Sequence, residues 1–159
     1  MTRPQHRVED PVLKLVFQIA GWVLSVFAVT VSMLIVLGGQ DRWQGEPFQT
    51  AMELPGAPET WGWILFAFST VLTAGMSLDV IADNVDALRH NARVEELSRK
   101  LVGSGCTFCG IWCFAIGTTF AWQLFTDGEE VSNLGFAVWY FTGIWYLLRA
   151  AVNLKILQP

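Results

Sequence analysis

Apolar residues dominate four stretches of this chain, Leu15 to Gly38, Thr60 to Ile81, Gly105 to Phe125 and Leu134 to Leu148, and charge is swept into the segments between them. About 20 helical residues cross a hydrocarbon core of roughly 30 Å. Three stretches reach that length outright, and the fourth does so with Val131 to Asn133 or Arg149 to Val152 added. The pattern predicts an all-α, four-helix transmembrane bundle forming a single membrane domain. Its spans fall at about 12–38, 60–82, 105–126 and 132–152, with an outer loop at 39–59 and an inner segment at 83–104.

Local signals refine the ends. Asp10-Pro11 is a good helix start, with Asp as N-cap and Pro at the first helical position. The first helix should then run to about Leu37, where Gly38-Gly39 stops it. In the outer loop a short helix from Phe48 to Leu54 is expected, followed by a turning Pro55-Gly56-Ala57-Pro58 stretch. Trp61 and Trp63 open the second span at aromatic-belt positions. Beyond that span Leu78, Ile81, Val85, Leu88 and Ala92 keep a helical spacing. The phase then shifts to Val94, Leu97 and Leu101. This predicts a bend near His90 to Ala92, a short amphipathic helix lying at the inner interface, and a break at Gly103-Ser104-Gly105 before the third span.

Charge adds an orientation. Nine of the ten Lys/Arg residues lie on the segments that share one side, and only Arg42 lies on the other. Cytoplasmic segments carry the excess of basic residues, so both termini are expected inside. The outer segments hold seven acids, Asp41, Glu46, Glu53, Glu59, Asp127, Glu129 and Glu130. No basic cluster is long enough for nucleic acid. Arg89, Arg93, Arg99 and Lys100 are placed to touch anionic lipid heads. The first run exceeds the roughly 7–15 apolar residues of a signal peptide and leads into Leu-Gly-Gly-Gln, so it is read as a retained span. The location expected is a bacterial cytoplasmic membrane.

Chemistry is sparse. Cys106 and Cys109 form a Cys-x-x-Cys on the inner, reducing side, with no cysteine pair in the outer loops to exchange with. Cys106, Gly110, Cys113, Gly117 and Ala121 recur every three or four residues. That stripe of small side chains lets another helix backbone approach closely. Asp79 and Arg149 are the ionisable residues nearest the hydrocarbon. Each lies 18 residues, or about 27 Å of helix, from the outer end of its span, counted from Trp61 and Val131. Charges at that depth are costly unless paired or snorkelling, so an ion pair or water-bridged contact between them is expected. The stripe Asp79, Asp83, Asp86 and His90 reads as the solvated face of an inner helical extension, since one straight stripe does not converge on a cation. No catalytic or phosphate-binding motif is visible, and neither enzyme activity nor a cofactor is expected.

The outer loop reads Leu37-Gly38-Gly39-Gln40-Asp41-Arg42-Trp43-Gln44-Gly45, then Phe48, then Leu54-Pro55-Gly56-Ala57-Pro58 and Thr60-Trp61-Gly62. In this pattern of Gly, Pro and Trp the chain resembles the small four-span membrane proteins of actinobacterial phages and prophages, holin-like proteins often found near lysis genes. The resemblance spans the first two helices and their loop. It implies a non-enzymatic protein that oligomerises in the cytoplasmic membrane and acts in phage lysis or its timing, with lipid, copies of itself and other lysis proteins as partners. The alternative is an interaction or regulatory protein, such as a superinfection-exclusion factor or accessory subunit, that works through Arg42, Trp43, Phe48, Pro55, Gly56, Pro58 and Trp61. A small transporter or redox enzyme is the third class, and it is disfavoured because intramembrane charge is scarce.

Overall fold

The computed structural model describes residues 11–42, 49–85, 88, 91–126 and 133–154. These form an all-helical bundle of four long helices and one short one. In chain order they are α1 (Pro11–Arg42), α2 (Gln49–Met52), α3 (Glu59–Asn84), α4 (Ala92–Thr126) and α5 (Asn133–Asn153). Three of the long helices contain stretches long and apolar enough to cross a membrane, namely Gln18–Gly38, Glu59–Asn84 and Ala92–Trp122.

Helix α4 packs along both α3 and α5, and α3 along α1. The core runs through Leu24 and Ala28 of α1, Leu65, Leu72 and Met76 of α3, Cys106, Cys109 and Trp112 of α4, and Tyr146 and Ala150 of α5. The opposite faces are equally apolar yet exposed: Val23, Val26 and Leu34 on α1, Trp63 and Ile64 on α3, and Phe141, Trp145 and Leu148 on α5. A water-soluble fold rarely leaves that much contiguous apolar surface open.

Serines and threonines facing the interior are satisfied locally. Ser32 donates to the Val29 carbonyl at 2.7 Å, and Ser69 donates to the Phe66 carbonyl at 2.9 Å. Ser25 and Thr73 share a 2.6 Å hydrogen bond between α1 and α3.

Three local expectations are corrected. Helix α1 does not stop at Gly38-Gly39 but continues to Arg42. Glycine lowers helix stability by about 1 kcal/mol without forbidding the conformation. Helix α3 does not extend through Leu88 towards Ala92; it ends at Asn84, and Val85 is extended at φ −108°, ψ 109°. A turn follows, with the Leu88 N–H donating to Val85 and the Asn91 N–H to Leu88. Asn91 then starts a new helix, its Oδ1 accepting from the Arg93 N–H at 3.1 Å. That side-chain cap competes with continuation of the preceding helix.

The third correction concerns the inner segment. Residues 92–102 are not a separate amphipathic helix at the interface. They are the first three turns of α4, which runs unbroken through Gly103-Ser104-Gly105. Ser98 and Val102 are buried, and Ser98 Oγ donates to the Gly75 carbonyl at 3.1 Å. Lys100 pairs with Glu96 at 2.7 Å on the exposed side. The glycines serve close contact rather than a break. A Cβ at Gly105 would meet the Leu72 backbone at 2.8 Å, and one at Gly75 would meet the Val102 nitrogen at 2.8 Å.

Candidate functional site

The small-residue stripe of α4 faces α5. A Cβ added at Gly110 would lie 2.9 Å from the Leu147 side chain, and one at Gly117 would lie 2.6 Å from the Tyr140 ring. From α5, Gly143 answers with room for Phe114, and Phe114 and Tyr140 stack edge-on at 5.0 Å. Cys106 and Cys113 sit in this seam with Cys109, all three thiols buried and free. Ala121, at the outer end of the stripe, is half-buried.

Near the C-terminal end of α5, Arg149 reaches across the bundle. Its Nη2 lies 3.5 Å from the Met76 sulfur on α3. On α1, Gly21 opens the space for the guanidinium, since a Cβ there would fall 2.6 Å from Nη2. Asp79 lies one helical turn beyond Met76, within electrostatic reach of Arg149. Its Oδ1 accepts from Ser98 Oγ at 3.3 Å, so the same hydroxyl serves both Asp79 and the Gly75 carbonyl. Arg149 is half-buried and Asp79 is exposed, so the carboxylate lies at the edge of the seat that Gly21, Met76 and Ser98 form. Asp83 stands exposed on the last turn of α3, whereas Asp86 and His90 lie outside the described residues.

One turn before Arg149, Tyr146 is fully buried, and its hydroxyl donates to the Leu24 carbonyl of α1 at 2.6 Å. This bond ties α5 to α1, two helices that otherwise meet through side chains such as Phe27 and Trp139 at 6.0 Å. Tyr146→Phe should lower bundle stability by roughly 1 kcal/mol, because Leu24 keeps its helical partner and only the second bond is lost. Unfolding in detergent, compared with the parent chain, measures this; an unchanged midpoint would show that the bond contributes nothing.

At the other end the outer loop folds onto the bundle. After α2 the chain turns repeatedly, with Leu54, Ala57 and Thr60 donating to Ala51, Leu54 and Gly56. Gly56 adopts φ +77°, a conformation that glycine tolerates and other residues resist. Trp61 Nε1 donates to the Pro55 carbonyl at 3.1 Å, clamping the loop to the start of α3. Pro58 is buried. Arg42 ends α1, while Trp43 and Phe48 lie outside the described residues. Beneath the loop is a cavity walled by Val31 and Ile35 of α1, Ala51 and Met52 of α2, Pro58, Trp61, Trp112 and Ile116 of α4, and Trp139 of α5. Trp112 and Trp139 meet edge-on at 5.5 Å.

Neither a known protein family, nor a curated protein, nor a solved structure matches this chain. The functional reading therefore rests on the geometry and on the sequence pattern. It also supplies residues that sequence reasoning did not single out. Gly21, Met76 and Ser98 form the seat of the charged pair, and Trp112 and Trp139 wall the cavity. A glycine inside an apolar run at the depth of an arginine was the one available signal for the seat. A tryptophan in the middle of a long apolar run was the signal for the cavity.

Proposed function

We propose that the chain is a non-enzymatic, four-span protein of a bacterial cytoplasmic membrane, with both termini in the cytoplasm. In this reading α5, 21 residues long, is the fourth span. The observation that carries the placement is the pairing of an apolar, exposed outer face with an interior that holds the polar groups, on helices long enough to span. Nine of the ten basic residues fall, by sequence, in the segments that this topology puts on one side, which supports the orientation.

The role proposed is holin-like: action in phage lysis or its timing through association of copies in the membrane. The Gly-Pro-Trp pattern of the outer loop supports it. The small-residue stripe is occupied by α5 within one copy, so contacts between copies would use the lipid-facing sides, such as Val23 and Val26 of α1 or Phe141 and Trp145 of α5. Induced expression in a bacterial host should collapse the membrane potential abruptly at a reproducible time. An intact potential through prolonged expression would reject this role.

A second reading, an interaction or regulatory protein working from outside the membrane, is favoured by the folded loop. Pro55, Gly56 and Glu59 are exposed on a segment that Trp61 holds in place. Blocked phage entry with an intact potential would select this reading over lysis.

A further inference from the structure

The outward face of α1 carries a pattern that packing within one copy does not use. Ile19, Val23, Val26, Thr30, Met33 and Leu37 are all exposed, and they alternate at spacings of four and three. A 3.5-residue repeat is the seam of a left-handed helix pair, in which each seam residue enters a hole in the facing helix. Thr30 is the one polar side chain on this seam. Among the described residues its hydroxyl has no hydrogen bond. Thr70 and Thr118, also exposed in mid-helix on α3 and α4, donate to the carbonyls of Phe66 and Phe114 at 2.8 and 2.7 Å. Thr30 also opens on a groove of about 430 Å³ that Val29, Met33, Leu34, Leu37 and Gly38 line with it.

We propose that two copies of the chain pair through this face, α1 against α1, with Thr30 meeting Thr30 on a two-fold axis along the membrane normal. Symmetry selects a second copy as the occupant. Copies inserted with one topology present α1 in the same direction, so each seam residue meets itself at the same depth. A polar group that meets itself must both donate and accept, and a hydroxyl does. One Thr30 donates to the other, whose own proton goes to the Val26 carbonyl four residues back, as that of Thr70 goes to Phe66. No water competes for these bonds in hydrocarbon. Side-chain shape selects α1 over α5. Val138, Phe141, Trp145 and Leu148 repeat the spacing on the exposed side of α5, but large rings hold backbones apart. The Trp145 N–H donates without accepting and cannot pair with itself. Val23, Val26 and Thr30 are β-branched, so a helix already restricts them and packing costs little further rotamer freedom.

The pair rests on the membrane placement and the association of copies proposed above. Single cysteines placed in the full chain and oxidised with iodine in isolated membranes test it. Cys106, Cys109 and Cys113 are buried, and the parent chain serves as the blank. Val23→Cys, Val26→Cys and Thr30→Cys should give covalent dimers, whereas Phe141→Cys on the exposed side of α5 should not. Thr30→Val, which keeps the shape and removes the hydroxyl, should weaken self-association roughly three- to tenfold, read as energy transfer between labelled copies diluted in liposomes. Thr30→Ser, which keeps a hydroxyl, should associate as the parent does. Association unchanged by Thr30→Val, or dimers from Phe141→Cys and none from α1, overturns the α1 seam while leaving association itself. Copies that are inserted but monomeric at every dilution overturn the seam and the holin-like role together. Dimers through α1 in cells whose membrane potential stays intact support the seam and reject lysis.

Discussion

Gly105→Ala is expected to destabilise the bundle by roughly 1–3 kcal/mol, although a glycine-to-alanine change inside a helix ordinarily gains about 1 kcal/mol. The sign follows from what the new methyl group would meet. At Gly105 it would lie 2.8 Å from the backbone nitrogen and Cβ of Leu72 and 2.9 Å from its Cα. None of these atoms can rotate away, so α3 and α4 must separate along a contact buried on both sides. Gly103 provides the control two residues earlier on the same helix. A methyl there would also come close, at 2.6 Å, but to Leu154 Cδ2, the far end of a side chain that is 41% exposed at the end of α5. Gly103→Ala should therefore be neutral or up to about 1 kcal/mol stabilising. Unfolding both variants in one detergent separates the outcomes. Equal effects would mean that the approach of α3 to α4 is not set at Gly105.

The same pair of glycines shows what the sequence could and could not disclose. Length and apolar character make the four long helices legible, because a hydrophobic run of that size has few other structures open to it. Gly103-Ser104-Gly105 reads locally as a break, yet it lies within the unbroken α4. Propensity is local, while the reason for Gly105 is the Leu72 backbone on another helix. The end of α3 was obscured in the opposite way. Apolar spacing continues past Asn84, but Asn91 caps a new helix and overrides the periodicity. For Asp79 and Arg149, depth counting along two spans put them at one level, since rise per residue is fixed. Their surroundings were not legible, because Gly21, Met76 and Ser98 come from three different helices and only packing brings them together. Trp112 is the extreme case: that its N–H has no acceptor among the described residues depends on every neighbour at once.

Loss of Arg149 should be more damaging than any other single side-chain deletion at the inner end. Arg149→Ala removes a stem packed between Gly21 and Met76 and withdraws the positive field beside Asp79. Together these should cost about 1–3 kcal/mol, most of it from the hole left between helices, because Asp79 is exposed and keeps solvent and Ser98 as partners. Two further variants divide the loss. Arg149→Met keeps most of the volume and discards the charge, so it should recover much of the stability if packing dominates. Asp79→Asn combined with Arg149→Met measures the electrostatic part, and residues in one network couple by about 0.5–3 kcal/mol. We expect the double variant to be more stable than the sum of the single losses implies. Strict additivity would reduce Asp79 and Arg149 to neighbours that share a depth and nothing else. Coupling would instead mean that the bundle holds a fixed charge pair where α1, α3, α4 and α5 all converge, so that any rearrangement separating α5 from α3 must first break it.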